Sequence, residues 1–193
     1  MICRYFRNIP FIHGFYSTWN IIPIVVKSMA RILVAYATKK GSTTEIAQAI
    51  GKELKDSGHV VEVAEMRTIT SVTGYNAVVI GGPVYVGKID GVGKFVKRHA
   101  TELTRVPVAG FVVCLAAAAK DLEGIAHAEK ALHAALEPLR PVAETIFAGK
   151  LDPSKLSWLQ KWVTEKAKSP VGDFRNWTAI TAWARDLPGK MGI

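Results

Sequence analysis

From Arg31 onward, short apolar runs rich in β-branched residues alternate with longer amphipathic ones, and no other feature constrains the fold as strongly. Strands separated by helix-length segments pair in parallel, with the crossovers lying over the sheet faces. RILVAY (31–36), HVVEVAEM (59–66), NAVVIGG (76–82), VAGFVVCL (108–115) and TIFAGK (145–150) read as five such strands. The segment 43–57 reads as a helix, because Ile46, Ile50 and Leu54 recur at a spacing of four and form one apolar stripe; Gly58 ends it. Further helices are expected over 91–103, 122–137 and 177–187. Val61 and Val63 alternate with Glu62 and Glu65, which predicts an edge position for the second strand. The third strand is continuously apolar and therefore central. The expected fold is α/β, a doubly wound five-stranded parallel sheet in the order 2-1-3-4-5 with helices on both faces.

The chain has 193 residues, 49% hydrophobic and 21% charged, which suits one globular domain with a sizeable core. Two regions stand apart from it. Residues 1–28 are apolar and aromatic, but Asn8, Pro10, His13, Gly14, Asn20 and Pro23 break every run short of the roughly 20 residues a spanning helix needs. They offer neither a smooth apolar stretch nor a small-residue cleavage site for a signal peptide. A loose extension ahead of a domain over 29–193 is the expectation, with a membrane-surface anchor as the other reading. Residues 152–168 form the second region, an amphipathic helix in expectation: Asp152 suits the N-cap, Pro153 the first helical position, and Lys166 and Lys168 the last turn. Leu156, Leu159 and Val163 make its stripe, with Trp158 and Trp162 alongside. It packs on the body of the protein or meets a substrate or membrane.

Net charge is +9, of which Arg4, Arg7 and Lys27 account for three, so the excess lies mainly on the domain and favours anionic partners. Nucleic acid is not expected, since no basic and aromatic module accompanies the charge. The two cysteines, Cys3 and Cys114, allow no disulfide framework, and a cytoplasmic setting fits. Cys114 reads as a small buried hydrophobe rather than a redox thiol. His59, His99, His127 and His133 show no ligand spacing with Cys or acidic residues, so no metal is expected. His99 reads as a solvated surface residue. No nucleophile and base constellation is visible, which suits chemistry delegated to a cofactor.

In an open α/β sheet the ligand sits beyond the carboxyl ends of the strands, at the switch point. After the first strand the chain runs Thr38, Lys39, Lys40, Gly41, Ser42, Thr43 into a helix N-terminus. Backbone N–H groups, the helix dipole and the hydroxyls of Thr38, Ser42 and Thr43 would meet a phosphate there. Gly41 lets the backbone approach it closely. The alternative for Ser42-x-x-Glu45 is a capping box that serves only the helix. Neither the Walker spacing nor G-x-G-x-x-G is present, so a monophosphate is the natural guest. After the third strand come Gly81, Gly82, Pro83, Val84, Tyr85, Val86 and Gly87. The bare glycines make room for a flat ring, with Tyr85 against one face and backbone groups near Gly82 and Gly87 at its polar edge. Cys114, Leu115 and Ala116 open a small-residue loop after the fourth strand that would close over the ring.

Through T-x-x-G-S-T after the first strand and G-G-P-x-Y after the third, residues 31 to about 187 resemble the flavodoxin-like proteins. That resemblance implies non-covalent FMN and redox function. Tyr85, the run Phe95-Val96-Lys97-Arg98-His99-Ala100-Thr101 and a last helix led by Trp177 resemble the FMN- and quinone-dependent protoporphyrinogen IX dehydrogenases. These are implied to pass electrons from a porphyrinogen through FMN to a quinone, and to carry a basic, aromatic insert where 152–168 lies here. The insert in this chain is less aromatic and less arginine-rich than in the bacterial enzymes. The resemblance thus implies an FMN-dependent dehydrogenase acting on a porphyrinogen or another reduced small molecule, with a quinone or a redox protein as partner and a peripheral contact with the inner face of the membrane. A flavodoxin-type single-electron carrier is the alternative. Carriers are generally acidic and this domain is basic, which favours the enzyme.

Overall fold

The computed structural model describes residues 29–39, 41–85, 88–89, 91–151 and 171–193. The expectations for 1–28 and 152–168 therefore lie outside the described residues. Five parallel strands, β1 (Arg31–Tyr36), β2 (Val60–Glu65), β3 (Ala77–Tyr85), β5 (Val108–Cys114) and β6 (Ala143–Ala148), lie in the order β2-β1-β3-β5-β6. Counting only these parallel strands, this is the expected 2-1-3-4-5. Two additions were not expected. A two-residue β4 (Lys88–Ile89) folds back antiparallel on the end of β3, and β7 (Lys150–Leu151) pairs with β8 (Gly172–Asp173) as a separate ribbon.

Strand parity sorts the core into two layers. Ile32 and Val34 point to one face with Val79, Phe111 and Val113, beneath helix α1 (Ser42–Asp56) and the C-terminal helix α6 (Trp177–Met191). Leu33 and Ala35 point to the other with Val78, Ile80 and Val112. That face is covered by α2 (Val92–Arg98), the one-turn α3 (Ala100–Leu103) and α5 (Leu122–Leu136). Ile46, Ile50 and Leu54 of α1 are fully buried, as their spacing predicts. At the end of α1 the Gly58 N–H donates to the Lys55 carbonyl and the His59 N–H to that of Leu54, a paired closure that needs the left-handed φ of 93° at Gly58. None of the described helices is long and apolar enough to cross a membrane.

The expected helix 91–103 is broken at His99 (φ −114°, ψ 20°), and the break corrects the reading of that histidine. Instead of facing solvent, His99 is 4% exposed, its ring 4.8 Å from that of Phe95, with no hydrogen-bond partner on Nε2 among the described residues. Burial lowers its pKa from the usual 6.5, with Arg98 acting the same way, and this outweighs Glu102 and a hydrogen bond to the Ile69 backbone. The folded state thus holds His99 neutral, while the unfolded chain takes up a proton near 6.5. Below that pH the unfolded state binds more protons, so stability falls as pH drops, by up to about 1.4 kcal/mol per pH unit until the folded group titrates. Chemical denaturation at pH 7.5 and at 5.5 should show this loss as a difference that shrinks in His99→Gln; an equal loss in the variant assigns it to other groups.

Candidate functional site

Because β1, β3 and β5 are neighbours, the three segments singled out in the sequence emerge at one edge of the sheet. Register fixes their levels: Tyr36 lies beside Gly81, Gly81 beside Phe111, and Pro83 beside Val113, while the Ala37 N–H donates to the Gly81 carbonyl at 2.8 Å. The chain leaves β1 outward to β2 and returns to β3 on the other side, so the switch point falls between β1 and β3.

At that point α1 begins without a cap. Gly41 is its N-cap residue, with a left-handed φ of 93°, and among the described residues no side chain caps the first turn. The first intrahelical bond runs from the Glu45 N–H to the Gly41 carbonyl, so the N–H groups of Ser42, Thr43 and Thr44 precede it. The capping box does not form. With Gly41 at the N-cap, Glu45 is the fourth helical residue rather than the third, one place beyond the reach of the motif. The Gly41 N–H is spent on Thr38 Oγ1 at 3.1 Å, which shapes the loop and leaves the Thr38 hydroxyl hydrogen free to donate outward. Thr43 is 1% exposed. Among the described residues, a Cβ at Gly41 would meet nothing within 4 Å. Three uncapped donors, a hydroxyl and a bare backbone fit a terminal phosphate.

The segment after the third strand is a correction. Gly82, Pro83, Val84 and Tyr85 are not loop but the last residues of β3, where Tyr85 pairs with Lys88 and Val84 with Ile89. Nor does Gly81 clear space for a ligand: a Cβ there would lie 2.0 Å from Cζ of Phe111, so the core fills that gap. Gly82 is buried. Lys40, Val86 and Gly87 lie outside the described residues. After β5, small residues were expected to form a loop; instead Leu115–Ala119 wind into a short helix, α4. The alanine run favours helix, and Lys120 (φ 54°) ends it. Leu115 and Ala116 open this helix, half-buried. Cys114 belongs to the core beneath it, 5% exposed, and burial pushes its thiol up against the opposing pull of the Ala117 and Ala116 backbone.

One residue tied to the first turn of α1 was missed altogether. The Arg175 side chain, 4% exposed, donates to Glu45 Oε2 at 2.6 Å and to both oxygens of Asp173, at 2.8 and 2.5 Å. Its guanidinium lies 4.5 Å over the ring of Trp177. Asp173 is held down to about 2 by these hydrogen bonds, and Arg175 is raised. A pair at 173 and 175 is visible in the sequence, but the reach of 130 positions to the first turn of α1 is not.

These features define a flavoprotein of the flavodoxin-like oxidoreductase fold, and a family model for the flavodoxin domain matches residues 33–175, so the chain belongs to that family. Such a fold implies a flavin. The chain is 27% identical over 174 residues to the protoporphyrinogen IX dehydrogenase (quinone) of Escherichia coli K12, covering 81% of this chain and 94% of that one. Among solved structures it is similar to a flavodoxin from the domain Archaea (TM-score 0.51, 15% identity, 84% and 99% covered). It is also similar to the rubredoxin oxygen:oxidoreductase of Desulfovibrio gigas (TM-score 0.52, 12% identity), of which it spans only 37%. The last two likenesses are of fold alone.

Proposed function

We propose that the chain is an FMN-dependent oxidoreductase that takes electrons from a carboxylate-bearing porphyrinogen and passes them to a quinone. The observation that carries this reading is the uncapped N-terminus of α1, opening at the switch point level with the ends of β3 and β5. A phosphate held there leaves the attached ring system over those two strand ends. Thr38, Ser42 and Thr43, with Lys39 and Lys40 beside them, hold the phosphate. The backbone of Gly82 to Gly87, with Tyr85, meets the ring, and Cys114 to Ala116 bound it on the far side. FMN, once bound, supplies the electron storage that no side chain of this site can supply. The substrate class follows the dehydrogenase to which the chain is similar. A quinone acceptor would place the protein at the inner face of the membrane, with the basic, aromatic segment 152–168 as its contact.

Protein denatured after purification should release FMN and no adenine dinucleotide, and anaerobic protein should oxidise protoporphyrinogen IX beyond the two electrons its FMN can store only when a quinone is present. Thr38→Ala should weaken FMN binding by about 1 to 3 kcal/mol through the lost hydrogen bond to a charged group. FMN-loaded protein that exchanges single electrons with redox proteins but does not oxidise the porphyrinogen is instead a carrier.

A further inference from the structure

A pocket of about 250 Å³ lies beside the phosphate loop on the opposite face of the sheet from α1. Its apolar part is made by Met66 and Phe95, both in the core layer under α2, together with Ala37 and Pro83. Neither Ser42 nor Thr43 lines it, so it adjoins the flavin site only through Thr38, Lys39 and Pro83.

The rim is strongly basic. Among the described residues, Lys39, Arg67, Lys94 and Arg98 line it against a single carboxylate, Glu65, which is already bound to Arg67 Nε at 2.8 Å. Among the described residues Lys94 and Arg98 have no hydrogen-bond or ion-pair partner. The placement of Lys94 also runs against helix electrostatics, while Arg98 closes the last turn of the helix. Lys94 is in the first turn of α2, which holds no acid, where the helix dipole opposes a cation. Arg98 lies four residues on, so two like charges share one face. The helix thus carries two like charges at the mouth of an apolar pocket, and a bound anion relieves the repulsion between them as well as that between Lys94 and the helix dipole. The volume suits a carboxylate and the ring edge that bears it, and is too small for a whole tetrapyrrole.

We propose that this pocket takes the carboxylate-bearing edge of the reduced substrate, with Lys94 and Arg98 as its anion-binding pair. The assignment rests on the porphyrinogen reading and adds to it how the substrate is oriented: acid groups toward α2, ring toward the ends of β3. Lys97, on the same helix but not lining the pocket, plays no part.

The test compares FMN-loaded wild type with Lys94→Gln/Arg98→Gln and with Lys97→Gln. Binding of protoporphyrin IX, its dimethyl ester, FMN and riboflavin is measured in each, together with KM for protoporphyrinogen IX. The double variant should bind the diacid about tenfold more weakly and show a KM raised to match, because two charged hydrogen bonds are lost at a partly exposed site. The ester should bind wild type and variant alike, and Lys97→Gln should behave as wild type. An unchanged diacid affinity and KM overturn the proposal, as does an equal loss in Lys97→Gln, which would mean diffuse attraction. A loss of FMN but not riboflavin affinity overturns it too, since the pair would then serve the flavin phosphate. Wild type that oxidises the porphyrinogen while the variant keeps its KM defeats the pocket alone. Wild type that neither binds the diacid nor oxidises the porphyrinogen defeats the substrate reading and the pocket with it.

Discussion

Gly81→Ala should destabilise the protein by about 3 kcal/mol and lower its melting temperature by roughly 6 to 12 °C for a chain of this size. The new methyl would lie 2.0 Å from Cζ and 2.1 Å from Cε1 of Phe111. That ring cannot step aside cheaply. It packs 6.0 Å from the ring of Phe147 and 6.2 Å from that of Trp183, and those two meet edge to face at 5.7 Å. The trio fills the layer under α6, where voids and overlaps are both costly. Phe111→Leu supplies the control: in that background Gly81→Ala should cost about 1 kcal/mol or less, and the difference is the coupling between the two sites. Equal costs in both backgrounds would dismiss the ring clash. FMN affinity per folded molecule should stay unchanged, because the position serves the core.

The same glycine shows where sequence reasoning succeeds and where it stops. The apolar run 76–82 announces a central strand, and parity alone sends Ile32 and Val34 to one layer and Leu33 and Ala35 to the other. The stripe of α1 and the hydroxyl-rich turn ahead of it are equally local, so they too are legible. What a bare position is for depends on the neighbour opposite, and Phe111 lies 30 residues away on β5. His99 eluded the sequence for a similar reason. Flanked by Arg98 and Glu102 it looks solvated, but the helix breaks there and turns its ring onto Phe95. The return of β3 into β4 was hidden because a continuation of strand through Gly82 and Pro83 has no distinct pattern. The basic pocket needs the end of β2 beside α2, a pairing set by the crossover and by no motif.

Arg175→Met should weaken FMN binding about tenfold and leave riboflavin binding unchanged. The side chain is 4% exposed and bonds Glu45 at 2.6 Å, in the first turn of the helix whose N-terminus is proposed to hold the phosphate. Glu45 itself is 48% exposed. Without Arg175 its carboxylate is an uncompensated negative charge within one or two helical turns of a phosphate dianion. At a separation of about 7 Å and an effective dielectric between about 40 and 80, the two charges of the dianion together oppose binding by about 1 to 2 kcal/mol, which brackets a tenfold change in affinity. Methionine keeps the apolar stem, so packing against Trp177 survives in part. Three lost charged hydrogen bonds also lower stability, by about 1 to 3 kcal/mol, moderated because both acids can return to water. Destabilisation alone would weaken FMN and riboflavin alike, so the comparison separates charge from structure. Glu45→Gln added to Arg175→Met should restore FMN affinity without restoring stability. Asp173 gives an independent check: its carboxyl, held down to about 2, should titrate near its ordinary 3.8 in the variant. The depressed value stabilises the fold above 3.8 and loses that contribution as pH falls toward 2, so the variant should lack this part of the acid response. If FMN and riboflavin weaken equally, Arg175 only fastens the β7–β8 ribbon to α1 and has no part in phosphate recognition.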